Sequence, residues 1–269
     1  MVYVSMILTM DEKSTREDKM PMGHPALTRD RFDAVLFDLD GVLTATAKVH
    51  AACWKKVFDA FLRKKAESEG KPFEPFQIDS DYRQYVDGKP RYDGVRDFLT
   101  SRGIRLPEGS REDPPGHNTV CALGNSKDEL IAQIMETEGV DPYEDAISLV
   151  RALRDLGIKT GVVSSSRHCD RALAAAGIDE FFDVRVDGNV VQELGLPGKP
   201  APDSFLEAAR RLGVTPDRTA VVEDAISGIM AGRAGNFALV VGVSRKDDAV
   251  VLKESGAHVV LTDLRDLML

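Results

Sequence analysis

The chain has 269 residues, of which 43% are hydrophobic and 29% are charged, values that are ordinary for a folded globular protein. Its net charge of −9 argues against a general nucleic-acid binder, because no basic patch is dense enough to overcome that charge. A few local lysines and arginines can still hold a small anion such as a phosphate.

The N-terminal segment, residues 1–30, is predicted to be a flexible leader. It lacks the basic start of a signal peptide, its apolar part is short, and charged residues follow at once. No apolar run in the chain approaches the ~20 residues of a membrane span. Cys53, Cys121 and Cys169 are far apart and fit neither a metal-ligand spacing nor a disulfide framework. We therefore expect a cytoplasmic protein that has no membrane partner.

Short strand-like runs begin near residue 33 and recur through the second half of the chain, where they alternate with helix-like segments. Short buried strands that alternate with helices ending in glycine indicate βαβ units. The pattern predicts an α/β fold with a Rossmann-like, doubly wound parallel sheet. The predicted strands cover residues 33–40, 159–166, 219–225, 238–243 and 258–263, and the predicted helices cover residues 144–157, 169–177, 203–213 and 225–235.

Residues 48–139 interrupt this alternation and contain no strong strand signal. Apolar residues recur every four positions from Val49 to Phe61, which predicts a helix. A second helix is predicted to begin at a cap formed by Asn125 or Ser126 and to end at residue 139. We interpret this region as a helical cap domain inserted into the core, so that the core domain consists of residues 31–47 and 140–269.

Polar side chains stand where the predicted strands end. The carboxyl ends of parallel strands share one edge of the sheet, and ligands bind outside that edge. One polar strand end is weak evidence, whereas several that supply carboxylates, a hydroxyl and a cation make a site. These residues are Asp38 and Asp40 at the end of the first strand, Ser164 at the end of the second, Glu223 and Asp224 at the end of the third, and Lys199 in a turn between the second and third.

This set of groups suits phosphoryl transfer through a carboxylate. An aspartate can attack phosphorus to form an aspartyl phosphate, and a second carboxylate can move the proton of the leaving or attacking oxygen. Asp38, Glu223 and Asp224 would repel one another without a metal, and Mg²⁺ prefers such oxygen ligands. Gly41 allows a sharp turn after the two aspartates. Taken alone, Asp-x-Asp-Gly could be a calcium loop and Ser164 a helix cap, but the joint spacing favours a phosphate site.

Four segments resemble the four motifs of the haloacid dehalogenase superfamily, in order and across the whole predicted core. They are FDLDGVLT (37–44), VVSSS (162–166), GKPAPD (198–203) and VVEDA (221–225). The resemblance implies that Asp38 is the nucleophile and Asp40 the general acid and base. It implies that Ser164 and Lys199 bind phosphate, and that the insert is a cap that closes over the substrate. The implied Mg²⁺ ligands are Asp38, the backbone carbonyl of Asp40, Glu223 and Asp224.

The cap region resembles that of the β-phosphoglucomutase-like subfamily, whose substrate is a small phosphorylated sugar. The resemblance is carried by the segments TATAKVHAACW (44–54), VDGKPRYDGV (86–95), GNSKDELI (124–131) and SSSRH (164–168). It implies that His50 takes part in catalysis and that Arg91 binds the distal phosphate of the substrate. The other implied substrate-binding residues are Thr46, Trp54, Gly88, Lys127, Ser166 and Arg167.

Two phosphate-binding centres suit a mutase, which must hold a bisphosphate intermediate at both ends. The fork of an arginine such as Arg91 fits the second phosphate. We therefore favour Mg²⁺-dependent interconversion of β-D-glucose 1-phosphate and glucose 6-phosphate. The alternative is hydrolysis of a sugar phosphate or a similar small phosphate monoester on the same core. The departures from the subfamily pattern, which leave the exact sugar open, are Ala45, Lys48, Asp128 and His168.

Two further hypotheses are disfavoured. A non-catalytic domain with a decayed site has no reason to retain the acids together with Ser164 and Lys199. A dehalogenase needs no metal, so the Glu223–Asp224 pair would not serve it.

Overall fold

The computed structural model describes residues 26–268, and most of the predicted leader lies outside this range. Within the leader, Leu27 is buried in the core, and its N–H donates to the carbonyl oxygen of Leu267 at 2.9 Å. In residues 26–268 there is no helix long and apolar enough to cross a membrane.

A parallel sheet of six strands forms the centre of the fold, with the first strand in its middle. The order across the sheet is 3-2-1-4-5-6 in chain numbering, and each neighbouring pair is parallel. This is the order of a doubly wound α/β sheet, so the predicted fold class is confirmed. The strands are β1 (Ala34–Phe37), β2 (Lys159–Val163), β3 (Val184–Val186), β4 (Thr219–Glu223), β5 (Leu239–Val243) and β6 (Val259–Leu261).

Helices cover both faces of the sheet, because the strands carry apolar side chains on both faces, as β1 does. Its four residues are fully buried, with Val35 and Phe37 in the apolar cluster on one face and Ala34 and Leu36 in the cluster on the other. A strand buried on both faces reads as a continuous apolar run. The core helices are α4 (Glu144–Asp155), α5 (Cys169–Ala175), α6 (Gly188–Glu193), α7 (Asp203–Leu212), α8 (Ile226–Ala234) and α9 (Ala249–Glu254), with short 3₁₀ helices at Asp179–Phe181, Pro216–Arg218 and Leu264–Met268.

The inserted region is helical and has its own apolar cluster. Its centre is a group of aromatic rings in which Phe58 lies 4.9 Å from Phe76 and 4.4 Å from Phe98, measured between ring centroids. All six strands lie outside the described residues 48–139, as predicted. The helices of the insert are α1 (Ala47–Glu69), a π-helix (Ile78–Val86), α2 (Arg91–Ser101) and α3 (Val120–Glu138).

The predicted start of α3 was wrong. The helix begins at Val120, and its N-cap is Thr119, whose hydroxyl accepts a hydrogen bond from the N–H of Ala122 at 2.9 Å. An N-cap residue stands directly before the first turn of its helix. Because this helix begins at Val120, Asn125 and Ser126 lie inside it rather than at its cap. The elements that the pattern missed are β3, α2, α6, α9, the π-helix and the short 3₁₀ helices.

Cys53, Cys121 and Cys169 are buried and free.

Candidate active site

The register of the sheet brings the predicted core residues together. Phe37 of β1 pairs with Val162 of β2 on one side and with Val222 of β4 on the other. Asp38, the first residue after β1, therefore lies at the edge of the sheet level with Glu223. Asp38, Glu223 and Asp224 each contribute one carboxylate oxygen to a cluster in which the three oxygens lie within 4.8 Å of one another.

Two glycines allow the acids to lie so close to the backbone. Gly41 has a φ of +93°, and a Cβ there would lie 1.9 Å from an Asp224 oxygen. At Gly228, in the first turn of α8, a Cβ would lie 1.7 Å from Glu223 Oε1. Both contacts are far shorter than any van der Waals distance, so a side chain at either position would displace a carboxylate.

Lys199 is the cation of this cluster and is almost completely buried. Its Nζ donates to Asp38 Oδ1 at 2.5 Å, to Glu223 Oε1 at 2.6 Å and to the carbonyl of Val163 at 3.1 Å. Burial lowers the pKa of Lys199, but Asp38 and Glu223 outweigh burial and raise that pKa above its usual value. Lys199 is therefore a permanent cation that orients one oxygen of Asp38 and leaves the other free.

The donor set at this edge fits a Mg²⁺ ion. Burial raises the pKa of Asp38. The positive charge of Lys199 lowers that pKa and the negative charge of Glu223 raises it, so that the pKa stays above its usual value. Burial also raises the pKa of Asp224, together with the charges of Asp87, Glu223 and Asp38. A hard divalent cation offsets such repulsion and takes carboxylate oxygens as ligands. Glu223 accepts more hydrogen bonds than the other two acids, because Lys199 donates to its Oε1 and two backbone N–H groups donate to its Oε2.

Asp40 lies apart from the buried acids and faces the cap. Thr46, just before α1, donates its hydroxyl to Asp40 Oδ1, and the same hydroxyl lies 2.8 Å from that of Thr44. His50 Nε2 is 3.5 Å from Asp40 Oδ1. The two aspartates of the first motif therefore point to different environments, one toward the acid cluster and one toward the cap.

His50 and Lys127 form a buried pair above Asp40. Lys127 Nζ and His50 Nδ1 are 2.9 Å apart. Burial lowers the pKa of Lys127 to about 8 and the pKa of His50 to about 4. At neutral pH the ammonium of Lys127 donates to Nδ1 of a neutral imidazole, so the imidazole proton lies on Nε2, toward Asp40. Trp54 supports the pair, because Lys127 Nζ lies 5.6 Å from the centre of its ring.

Arg91, at the start of α2, lies between the cap and the core. Its guanidinium forms an ion pair with Asp128 of α3, and Asp128 also contacts His168, which follows β2. Both Asp128 and His168 are departures from the subfamily pattern, and the structure places them in contact with each other. Sequence reasoning missed their pairing because they are 40 residues apart.

The predicted residues Ser164, Ser166 and Arg167 lie on the loop that follows β2. Ser164 Oγ accepts a hydrogen bond from the N–H of Ser166 at 3.1 Å. Arg167 Nε donates to Asn189 Oδ1 at 2.9 Å, and this hydrogen bond holds the guanidinium of the exposed side chain in place. The loop thus presents hydroxyls and one cation toward the cap.

Gly88 lies where the cap touches the core. Its φ is +71°, its carbonyl accepts a hydrogen bond from Ser165 Oγ at 2.7 Å, and a Cβ there would lie 2.3 Å from Ser227 Oγ. Ser227 in turn donates to the carbonyl of Asp87 at 2.8 Å. Burial raises the pKa of Asp87 to about 6, although Lys246 opposes the shift. Ser165, Ser227 and Asp87 were not predicted, and backbone contacts of this kind leave no signal in one sequence.

A small cavity of about 60 Å³ joins the core and cap residues. A neighbouring cleft of about 390 Å³ shares Arg91, Ser164 and Arg167 with it and opens toward α6. Pockets that hold a small organic ligand usually measure about 300–1,000 Å³. The cap is therefore drawn close over the core in this structure. The cavity brings together Asp38, Asp40, His50, Trp54, Gly88, Arg91, Lys127, Ser164, Ser166, Arg167 and Asp224, and it also includes Tyr82, Asp87 and Asp128, which were not predicted.

Solved structures of other proteins share this fold. A β-phosphoglucomutase from Clostridium difficile aligns with a TM-score of 0.67 at 24% identity, over 88% of this chain and 93% of that chain. A hydrolase from Pseudomonas syringae aligns with a TM-score of 0.69 at 22% identity, over 88% of this chain and 96% of that chain. At these identities the alignments establish the fold alone.

Sequence relatives are more informative. The chain is 48% identical over 242 residues to a β-phosphoglucomutase from Mycobacterium bovis, covering 89% of this chain and 92% of that protein. It is 29% identical over 229 residues to a phosphorylated carbohydrates phosphatase from Thermotoga maritima, covering 84% of this chain and 92% of that protein. Residues 32–236 match the family model for haloacid dehalogenase-like hydrolases. The chain therefore belongs to the haloacid dehalogenase-like hydrolase family.

Proposed function

We propose that this protein interconverts β-D-glucose 1-phosphate and glucose 6-phosphate through an aspartyl phosphate on Asp38, the reaction of a β-phosphoglucomutase. The observation that carries the proposal is that two separate cations, Lys199 of the core and Arg91 of the cap, both line the cleft beside the cavity. Lys199 holds Asp38 at the sheet edge, and Asp38 and Arg91 both line the cavity itself. The 48% identity to the Mycobacterium bovis enzyme supports the same reaction.

The first half-reaction starts from Asp38 already carrying a phosphoryl group. A hydroxyl of the bound sugar monophosphate attacks that phosphorus, the phosphorus–oxygen bond to Asp38 breaks, and Asp40 takes the hydroxyl proton. The products are the free carboxylate of Asp38 and a glucose 1,6-bisphosphate. Lys199 stabilises the negative charge that returns to Asp38.

The second half-reaction follows when the bisphosphate has turned end for end. Asp38 now attacks the other phosphorus, the bond from that phosphorus to the sugar oxygen breaks, and Asp40 returns its proton to that oxygen. The sugar monophosphate leaves with its phosphate at the other carbon, and Asp38 is phosphorylated again. Thr46 and His50, which both face Asp40 Oδ1, hold this carboxylate in position for both proton transfers.

Asp38, Asp224, the backbone carbonyl of Asp40 and, through its remaining lone pairs, Glu223 would hold Mg²⁺. Bound there, Mg²⁺ would supply positive charge against the phosphate oxygens and against the repulsion among the acids. The cap residues exclude water from the site, because transfer of the phosphoryl group to sugar rather than to water requires a closed site. A cavity of about 60 Å³ is too small for a hexose bisphosphate, so the cap must move away from the core for the sugar to bind.

Hydrolysis is the second candidate function, favoured by the similarity to the Thermotoga maritima phosphatase. It uses the same Asp38 chemistry, with water as the final acceptor of the phosphoryl group. The two candidates differ in the acceptor, and the cap side chains control which acceptor reaches Asp38.

The direct test supplies purified protein with Mg²⁺, β-D-glucose 1-phosphate and a trace of glucose 1,6-bisphosphate. Glucose 6-phosphate and free phosphate are followed separately. We expect glucose 6-phosphate to form much faster than free phosphate. Free phosphate without glucose 6-phosphate would exclude the mutase and leave the phosphatase.

Replacing Arg91 separates the two phosphate centres. Arg91→Ala should reduce kcat/KM for the mutase reaction by about 100-fold, because a charge-assisted, bidentate phosphate contact contributes on the order of 3 kcal/mol. Hydrolysis of a small aryl phosphate, which has no second phosphate, should change by less than about threefold. The matched control is Arg63→Ala on α1 of the cap, because Arg63 is exposed and lines neither the cavity nor the cleft, so this change should leave both activities near the original values. Equal losses in both assays for Arg91→Ala would show that Arg91 does not bind the distal phosphate.

A further inference from the structure

Asp128 is an unexpected neighbour for a phosphate-binding arginine. A carboxylate beside a phosphate repels it, yet Asp128 lines the cavity and forms an ion pair with Arg91. The side chain of Arg91 is only 11% exposed, and among residues 26–268 neither Nη1 nor Nη2 has a partner in hydrogen-bond geometry, although Nη1 is ion-paired with Asp128. Arg91 is thus a largely buried cation that has one carboxylate partner and unused donors.

His168 holds the other side of the same carboxylate. His168 Nε2 lies 3.0 Å from Asp128 Oδ1, whereas Arg91 contacts Oδ2. A carboxylate only accepts hydrogen bonds, so the proton must be on His168 Nε2. Each oxygen of Asp128 therefore has its own partner, the guanidinium of Arg91 from the cap and the imidazole of His168 from the core.

Asp128 carries its negative charge throughout the neutral range. Burial raises the pKa of Asp128, but the hydrogen bonds from His168 and Arg91 outweigh burial and hold that pKa well below its usual value. The carboxylate is therefore a permanent competitor for the guanidinium of Arg91.

We propose that Asp128 occupies Arg91 in place of the distal phosphate when no substrate is bound, and that His168 retains the carboxylate when the phosphate takes Arg91. Asp128 and His168 are then positioning residues that set the affinity for the distal phosphate. The proposal rests on the proposed function, which places a second phosphate at Arg91. It gives the two departures from the subfamily pattern one shared role, because a carboxylate at position 128 needs a donor other than Arg91.

The proposal predicts effects of opposite sign for the two residues. Without the carboxylate, Arg91 has no competitor, so a bisphosphate should bind more tightly. Without His168, the carboxylate loses its second donor and holds Arg91 more strongly, so a bisphosphate should bind more weakly. A pair that only fastened the cap to the core would give changes of the same sign for both residues.

The test is titration calorimetry with Mg²⁺ in the Asp38→Asn background, where no turnover occurs. The probes are β-D-glucose 1,6-bisphosphate and phenyl phosphate, which has no distal phosphate. Asp128→Asn should bind the bisphosphate about tenfold more tightly, and His168→Asn about tenfold more weakly, since a charge-assisted hydrogen bond is worth about this factor. The double variant should bind the bisphosphate as tightly as Asp128→Asn does, because His168 acts only through the Asp128 carboxylate.

His168→Gln is the conservative control, because its amide N–H reaches about as far as His168 Nε2 and should preserve parent-like affinity. Phenyl phosphate affinity should be the same in all variants. Weaker bisphosphate binding in both single variants, an equal change with phenyl phosphate, or no bisphosphate binding by the parent would overturn the proposal. Failure of the mutase reaction is seen separately, in the product assay with unsubstituted protein, and does not alter these binding constants.

Discussion

Asp38→Asn should abolish turnover while the fold survives. An amide cannot form the acyl phosphate on which both half-reactions depend, so kcat should fall by at least about 10⁴-fold. The fold should tolerate the change, because the new side chain has the same shape and removes one of three crowded acids, although it weakens the ion pair with Lys199. The measurement is product formation, together with circular dichroism of the purified variant.

Protein-bound phosphate gives this prediction a second readout. After mixing with ³²P-labelled glucose 1,6-bisphosphate and acid quenching, the original protein should retain label and the Asp38→Asn variant should retain none. Asp217→Asn is the control, because this aspartate is exposed on the short helix before β4 and should leave activity unchanged. Appreciable turnover by Asp38→Asn, or label on the variant, would remove the aspartyl-phosphate mechanism.

Lys199→Met should lower the free energy of unfolding by about 3–5 kcal/mol at neutral pH. Lys199 is the cation shared by Asp38 and Glu223, and removing one partner of a buried ion pair leaves uncompensated charge. Activity should also be lost, since Asp38 would no longer be oriented. Denaturant unfolding followed by fluorescence measures the change.

The destabilisation caused by Lys199→Met should depend on pH, and the direction of this dependence is a second test. Burial already raises the pKa of Asp38, and loss of Lys199 would raise it further. A group whose pKa is higher in the folded state takes up protons on folding, so the folded variant gains stability as the pH falls. The destabilisation should therefore be smaller at pH 5 than at pH 7.5, and Mg²⁺ should restore part of the loss at pH 7.5.

Lys159→Met is the matched control for Lys199→Met. Lys159 begins β2 and is exposed, and its Nζ donates to the carbonyl of Leu212 at 2.6 Å with no carboxylate involved. Its loss should cost about 1 kcal/mol or less and should not depend on pH between 5 and 7.5. A loss for Lys199→Met that is no larger than this, or that does not shrink at pH 5, would contradict the picture of Lys199 as the central cation.

The fold and the acid cluster were predictable because both follow from local pattern. A buried strand such as β1 reads as a short apolar run, and polar residues at successive strand ends must share one edge of a parallel sheet. The same logic placed Lys199 near Asp38, although not its contact with both Asp38 and Glu223. The start of α3 was predicted wrongly because Asn125 and Ser126 resemble a cap, and only the hydrogen bond from Ala122 to Thr119 identifies the true one.

The cap side of the site was less predictable, for a physical reason. Contacts across the cavity join residues that are distant in sequence, such as Lys127 with His50 and Asp128 with His168. Neither periodicity nor motif spacing encodes such distances. Asp128 and His168 could be noted only as departures from a pattern, and their pairing required the structure.

The central claim is that Asp38 passes its phosphoryl group to a sugar rather than to water. Its most direct test is the fate of the phosphorylated protein, prepared with ³²P-labelled acetyl phosphate and Mg²⁺ and then mixed rapidly with β-D-glucose 1-phosphate. We predict that the sugar phosphate speeds the loss of label from the protein and that the label appears first in glucose 1,6-bisphosphate. Label that passes only to inorganic phosphate, at a rate that β-D-glucose 1-phosphate does not change, would contradict the claim.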